Sequence, residues 1–165
     1  EDPNGNPNTP YAGSIADFET FVVRDDTRDV DNAGVPNMEM LHHVTGFYFL
    51  ASVFGPAVVI FRVDDFDALA RMTVPGSTST IQYVQLPTQY IIDGVEAGRD
   101  ENQIPFKRLP TSVDAGMIWC SSSYVGESIR RKTDRFIGER RILKDTNNTT
   151  NDFEVIAPPT PRSFN

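Results

Sequence analysis

The feature that most constrains this chain is the way in which its apolar segments are cut short. Twelve prolines and eleven glycines are spread over 165 residues. The runs between them are short and rich in β-branched and aromatic residues, which favour strands, whereas proline and glycine favour turns. Many short strands separated by turns are typical of a β-sandwich. We therefore expect a mainly β fold with one or two short helices.

The strongest strand patterns are residues 44–53 and 57–63, and the Gly55-Pro56 pair between them predicts a hairpin. Further strands are predicted at residues 81–86, 90–95, 117–120, 127–133 and 140–143.

Residues 64–72 carry a helical pattern instead. Phe66, Leu69 and Ala70 recur at i, i+3 and i+4, which places them on one face of a helix. The two aspartates that precede them can cap its first turn. A short helix is therefore predicted at this point.

A chain of this length is most simply one domain. Residues 1–13 contain several prolines and asparagines and are expected to be an irregular lead-in. Residues 14–156 are predicted to form the sandwich, and residues 157–165 a proline-rich extended tail.

The net charge of the chain indicates which classes of macromolecule are not expected to bind it. The net charge is −8, so nucleic acid and anionic lipid surfaces are not expected partners. No run approaches the roughly 20 apolar residues of a membrane-spanning helix, so no transmembrane segment is expected.

One segment resembles the start of a calcium loop. Asp29 and Asp31 occupy the first and third positions and Gly34 the sixth. Ala33 and Met40 stand where an oxygen ligand and a bidentate glutamate are needed, so an EF-hand is not expected. A tight turn explains the pattern, and a looser calcium site at the two aspartates stays open.

No catalytic or cofactor motif is present in the sequence. His42 and His43 are adjacent, so on a regular strand they point to opposite faces and cannot share one metal. Cys120 is the only cysteine, and it is predicted to be a small buried apolar side chain. We expect no enzyme activity and no cofactor, and no metal site other than the calcium site left open at Asp29 and Asp31.

Basic residues are concentrated near the end of the chain. Seven of its fifteen lie within residues 130–144. On a strand, Arg130 and Lys132 share one face and Arg131 lies on the other. One interpretation is a solvated strand pair whose charges pair with the chain's own carboxylates. The other is a docking patch for an acidic protein, formed by Arg130, Arg131, Lys132, Arg140 and Arg141.

Two stretches of this region carry a family resemblance. Residues 126–132, and residues 141–153 with their polar Asn/Thr turn closed by Phe153, resemble the C-terminal segment of a lamin-tail-type domain, which is an immunoglobulin-like β-sandwich. The version most similar belongs to an uncharacterised family of exported bacterial outer-membrane surface lipoproteins. Short motifs similar to those of that family occur in the same order at residues 15–19, 31–37, 70–72 and 92–95.

The resemblance implies a non-enzymatic accessory subunit at the cell surface. Such a subunit would act through protein–protein contacts in an outer-membrane complex, with a TonB-dependent transporter or its lipoprotein partner. The family carries a lipid-anchoring cysteine and earlier strands, and neither is found here. The chain is thus expected to be the C-terminal part of a longer protein, whose N-terminal part is a further candidate partner.

Two other functions stay open. A glycan- or peptide-binding module would use the loops at residues 24–37 and 97–116, because loops at the ends of a sandwich commonly carry binding sites. A self-assembling structural protein is the third reading.

Overall fold

A computed structural model describes residues 17–20, 31, 34–41, 55 and 57–160. These residues form mainly short strands and a few helical turns, which confirms the prediction of a β-rich fold. The strands are β1 (Glu19–Thr20), β2 (Asn37–Met38), β3 (Ala57–Phe61), β4 (Arg71–Met72), β5 (Tyr83–Val84), β6 (Ile91–Glu96), β7 (Ser128–Arg131), β8 (Thr133–Ile137), β9 (Arg140–Leu143) and β10 (Phe153–Ile156). The helical elements are 3₁₀ turns at Thr88–Tyr90 and Glu101–Phe106 and the one-turn helix α1 (Thr149–Asp152).

The strands of the described part pair two by two. β1 and β2 run parallel, and the other four pairs, β3–β6, β4–β5, β7–β10 and β8–β9, are antiparallel. The chain divides into two compact units, the first formed by residues 1–50 and 71–84 and the second by residues 51–70 and 85–165.

The first unit holds the pairs β1–β2 and β4–β5. The Glu19 amide donates to the Pro36 carbonyl at 3.0 Å, and Val35 beside it is buried. β4 and β5 meet through Arg71 opposite Val84 and Met72 opposite Tyr83.

The second unit is built on the β3–β6 pair. The β-branched residues of β3 suit a pleated strand, and a bulge interrupts the ladder between Ile60 and Phe61. Gly94 in β6 lies so close to the following loop that an added Cβ would be 2.9 Å from Leu109 Cδ1 and 3.2 Å from Val113 Cγ1. One face of the pair is therefore covered by residues 97–116.

The rest of the second unit comes from the end of the chain. Residues 128–131 of β7 lie opposite residues 153–156 of β10 in regular register. β8 and β9 form a tight hairpin, and Gly138 at its tip has a φ of 60°, which glycine adopts without strain.

The helix predicted for residues 64–72 is not formed, and this prediction is wrong. The Asp65 carboxylate accepts hydrogen bonds from the Asp67 and Ala68 amides at 3.0 and 3.2 Å, and these bonds hold a single local turn. Arg71 and Met72 then pair as β4 with β5, so the chain becomes extended before a helix could propagate.

Other predicted strands met different outcomes. The strands at residues 57–63, 90–95 and 140–143 are confirmed as β3, β6 and β9. The strand at residues 117–120 reduces to one isolated bridge between Ile118 and Ala97, because the Met117 amide instead bonds the Thr150 side chain.

Two strand predictions changed their bounds. Of the strand predicted at residues 81–86, only the two residues of β5 are extended and paired. The strand predicted at residues 127–133 is divided at Lys132 into β7 and β8. The split occurs because the Lys132 amide bonds the Asp152 carbonyl and its own carbonyl accepts from Lys144.

The predicted strand at residues 44–53, its hairpin and the histidine pair lie outside the described residues. Of the predicted tail, residues 157–160 are described, and they contain a cis bond between Ala157 and Pro158. In the described part of the chain, no helix has the length and apolar character needed to cross a membrane.

Candidate functional site

The predicted docking residues fall into two groups, and Arg130 belongs to the group at β7. Its guanidinium Nε and Nη2 donate to Glu154 Oε1 at 3.1 and 2.8 Å. Because Glu154 lies directly opposite it on β10, the pair bridges the two strands. Arg130 therefore works first as a cross-strand ion pair.

Arg131 points to the opposite side and is 14% exposed. Its guanidinium pairs with Asp93 of β6, donates to the Lys144 carbonyl at 3.0 Å and lies 4.5 Å from the centre of the Phe153 ring. These contacts tie β6, β10 and the chain after β9 together. Arg131 is thus a structural residue.

A cavity of about 300 Å³ opens beside this strand pair. It is lined by Arg130, Arg131, Lys132, Thr133 and Glu154. Lys132 donates from Nζ to the Asn151 carbonyl at 3.0 Å and stays half-buried. Arg130 pairs with Glu154, and Arg131 pairs with Asp93 and Asp145, so Lys132 is the lining cation that has no acidic partner among the described residues.

The second group lies on the β8–β9 hairpin. The register places Arg141 opposite Phe136, and its guanidinium is 4.9 Å from the centre of that ring. Arg141 Nη1 also donates to Thr133 Oγ1 at 2.6 Å. Arg140 lies opposite Ile137 and is exposed, with no side-chain partner among the described residues.

The hairpin has two faces, because side chains alternate along each strand and residues directly opposite each other share a face. A register irregularity between Thr133 and Arg135 brings Thr133 to the same face as Phe136. We call the first the Phe136 face, and it consists of Thr133, Phe136, Arg141 and Leu143. We call the other the Ile137 face, and it consists of Arg135, Ile137, Arg140 and Ile142.

Large apolar side chains on both faces meet solvent. Phe136 is 57% exposed, Leu143 40% and Ile137 60%. Arg135 pairs with the neighbouring Asp134 and remains largely exposed. A hairpin that is apolar and basic on both faces, and that pairs with no further strand in the described part, offers surface for a partner.

Sequence reasoning missed a buried polar network in the same unit. Glu96 at the end of β6 has no exposed surface. Its Oε1 accepts from the Arg108 amide at 2.7 Å, and its Oε2 accepts from the Leu109 amide at 3.0 Å and from Lys107 Nζ at 3.1 Å. Glu96 thereby fixes the far end of the loop that covers β6.

Asp114 is the second fully buried carboxylate. Its Oδ1 accepts from the Gly116 and Thr149 amides at 2.9 and 2.7 Å, and its Oδ2 accepts from the Thr149 hydroxyl at 2.7 Å. Lys107 Nζ lies 3.5 Å from Oδ2 and also donates to the Gly116 carbonyl, so one ammonium serves both buried acids.

Asp152 closes the polar turn before β10. Its carboxylate accepts from the Thr146 amide and hydroxyl at 2.7 and 2.8 Å and from the Asn148 amide at 3.1 Å. Burial alone would raise the pKa of Asp152, but these hydrogen bonds and the charge of Arg131 outweigh burial and lower it. Asn148 caps α1 by accepting from the Asn151 amide at 3.2 Å.

The network had one detectable sign in the sequence. An acidic residue, Glu96, directly follows the apolar strand, and capping residues fill residues 145–152. Which donors they meet depends on long-range contacts, such as the 3.4 Å bond from the Glu96 amide to Thr149 Oγ1.

Cys120 is buried, as predicted, with 1% of its surface exposed. Burial, and then the negative charge of Glu127, raise the pKa of its thiol. Glu127 itself accepts from the Ser121 amide at 2.6 Å and from its hydroxyl at 2.8 Å. The thiol is therefore held in its unreactive form.

The calcium hypothesis is not tested by the described residues. Asp31 accepts from Asn37 Nδ2 at 3.1 Å, and Asp29 lies outside them. Within the described ranges, no group of three or more metal-binding side chains is found.

The comparisons with known proteins point to one family. The model of a family described as "Protein of unknown function (DUF4876)" matches residues 2–160. A crystal structure of a DUF4876 family protein from Bacteroides thetaiotaomicron VPI-5482 is similar, with a TM-score of 0.76 and 30% sequence identity. The similarity covers 96% of this chain and 46% of that one, so this chain spans less than half of that protein. No curated protein matches.

Proposed function

This chain belongs to the DUF4876 family of proteins of unknown function, and from that premise we propose that it is a non-enzymatic, surface-exposed accessory subunit that acts through protein–protein contacts. The complex that we propose for it lies in the outer membrane and contains a TonB-dependent transporter. The chain's polar groups would then serve structure, and its exposed hairpin would serve recognition.

The observation that carries this proposal is the β8–β9 hairpin. A two-stranded hairpin is marginally stable in water unless something covers its apolar side chains. Here Phe136, Ile137 and Leu143 remain exposed beside three arginines. Aromatic residues and arginine are enriched at protein interfaces, so this composition supports a contact surface.

The finer architecture and the location are part of the same proposal. We infer that the strand pairs belong to a lamin-tail-type, immunoglobulin-like sandwich, which is supported by the antiparallel pairing of β7, inside the first resembling segment, with β10, which begins at Phe153 where the second one ends. Export to the cell surface and membrane association rest on the same resemblance.

Co-purification from native membranes tests the proposal. The tagged protein is cross-linked in intact cells, purified and analysed by mass spectrometry, with an untagged strain as the control. We expect a TonB-dependent transporter barrel in near-stoichiometric amount. Recovery of the protein alone, from a fraction free of outer membrane, would contradict the proposal.

A second candidate function is a glycan- or peptide-binding module. One observation favours it, since Phe106 in the loop at residues 97–116 is 78% exposed and Ile104 beside it is 49% exposed. Binding on a glycan array that is lost in Phe106→Ala and kept in Phe136→Ala would favour this function.

A further inference from the structure

The basic charge of the second unit is concentrated around one hairpin. Residues 130–144 hold seven basic and two acidic side chains, whereas the whole chain has 15 basic and 23 acidic ones. Exposed charges of opposite sign attract each other noticeably within the Debye length, which is about 8 Å at physiological salt. Arg130, Arg131 and Arg135 are paired with carboxylates of this chain, and the remaining basic groups of the segment favour an acidic partner.

The two hairpin faces differ in what adjoins them. Thr133 belongs to the Phe136 face and also lines the cavity, and Arg141 bonds its hydroxyl. The Phe136 face thus runs continuously from an exposed aromatic ring to the cavity that Lys132 lines. The Ile137 face has no such cavity among the described residues.

The internal pairing shows which charges can meet a partner. Arg131 is enclosed between Asp93 and Phe153 and is not available. The guanidinium of Arg141 lies over the Phe136 ring, 4.9 Å from its centre, and Lys132 is half-buried at the cavity. A guanidinium stacked on an aromatic ring can still bind a carboxylate through its edge.

We propose that the Phe136 face binds an extended acidic peptide segment of a partner protein, with a carboxylate beside Lys132 at the cavity and an apolar side chain against Phe136. This inference rests on the proposed function and names the chemistry of the partner at that site. A peptide fits better than a free anion, because apolar side chains lie between the charges.

The test begins with selection of random 12-residue peptides, displayed on phage, against the whole chain at low salt. We expect the selected peptides to alternate Asp or Glu with apolar residues. The affinity of the best peptide is then measured by fluorescence anisotropy. Phe136→Ala and Arg141→Gln are expected to weaken binding at least about tenfold, since truncating a central contact commonly has that effect.

The opposite face supplies matched controls. Ile137→Ala and Arg140→Gln make comparable changes in size and charge on the Ile137 face, and we expect them to change the affinity less than about twofold. Circular dichroism verifies that each variant is folded. If Arg141→Gln disturbs the hairpin, Leu143→Ala is used in its place. Leu143 lies on the same Phe136 face, and its side chain makes no hydrogen bond that the substitution could remove.

Three results would overturn the inference. The selected peptides lack acidic residues, the two pairs of variants lose affinity equally, or a heparin fragment binds more tightly than the peptide with the same dependence on Phe136. Co-purification with a transporter would still succeed in these cases if docking uses another surface, so the failure of this inference is distinguishable from the failure of the proposed function.

Discussion

Glu96 shows how much a single buried side chain contributes to this structure. Its two oxygens accept from two consecutive backbone amides and one ammonium, and none of its surface meets water. A carboxylate suits this place because it only accepts hydrogen bonds. Any residue that brings an N–H group there would face donors on several sides.

We predict that Glu96→Gln destabilises the protein by about 3 kcal/mol, because it removes a buried charge from Lys107 and turns an amide NH₂ toward backbone donors. Urea unfolding at pH 7 measures the change. Glu101→Gln is the matched control in an exposed 3₁₀ turn, and it is expected to stay within about 0.5 kcal/mol of the wild type. Equal losses in the two variants would show that the Glu96 network contributes nothing of its own.

At the scale of elements, the polar turn at residues 145–152 depends on an ionised Asp152. Because its pKa is lowered in the folded state, ionisation favours folding. The contribution is complete above the unfolded value of about 3.9 and disappears as the pH falls through the lower folded value. The turn is thus an acid-sensitive element.

We predict that Asp152→Asn lowers the free energy of unfolding at pH 7 by about 2 kcal/mol, since it weakens charge-assisted hydrogen bonds. Stability should also decline less steeply for this variant than for the wild type as the pH falls below about 4. Chemical unfolding across that range gives both quantities. Asp64→Asn, at an exposed position, should keep the wild-type pH dependence.

Gly116 joins the loop at residues 97–116 to α1. A Cβ at this position would be 2.7 Å from the Thr149 amide nitrogen and would also meet the Thr150 nitrogen and Asn148 Oδ1. Two of these are backbone atoms, so they cannot yield as the end of a flexible side chain would.

We therefore predict that Gly116→Ala costs about 3 kcal/mol of stability, the upper range for forcing atoms into a packed site. Gly138→Ala tests backbone conformation alone. An added Cβ at the hairpin tip would meet no atom within 4 Å, but the φ of 60° is unfavourable for alanine. Its expected cost is about 1 kcal/mol. Thermal unfolding of both variants compares the two effects, and a smaller loss at Gly116 would contradict the packing argument.

The elements also show where sequence patterns suffice. β3 and β6 were predictable because their β-branched residues suit strands whatever they pair with. The helix predicted at residues 64–72 did not form because helical spacing over the five residues 66–70 cannot outweigh an Asp65 turn and the pairing of β4.

At the scale of the whole molecule, the buried network was beyond sequence reasoning. Glu96 meets its donors 11 to 13 residues later, and its amide meets Thr149 53 residues away. Nothing local distinguishes these polar residues from solvated ones. The basic cluster was visible in the sequence, but only the structure shows that Arg131 pairs with Asp93 while Arg141 lies over the Phe136 ring.

We predict that local stability is uneven within the second unit. Beside the isolated bridge, the Gly98 amide donates to the Ile118 carbonyl and the Ile118 amide donates to the Glu96 carbonyl. These two amides should exchange hydrogen on the order of 100-fold more slowly than those of β8 and β9. Hydrogen exchange followed by mass spectrometry measures this difference. Equal protection would mean that the exposed hairpin is as firmly held as the buried network.

The bonds of Thr149 also have a consequence for the order in which the protein forms during translation. The Thr149 hydroxyl accepts from the backbone amide of Glu96 and donates to the carboxylate of Asp114, residues made 53 and 35 positions earlier by the ribosome. Both residues emerge from the exit tunnel before Thr149, whose hydroxyl completes their hydrogen bonding, has been added to the chain. The second unit therefore reaches its final packing only after nearly all of its residues have been synthesised, and nascent chains halted before Thr149 would still have a loosely held loop.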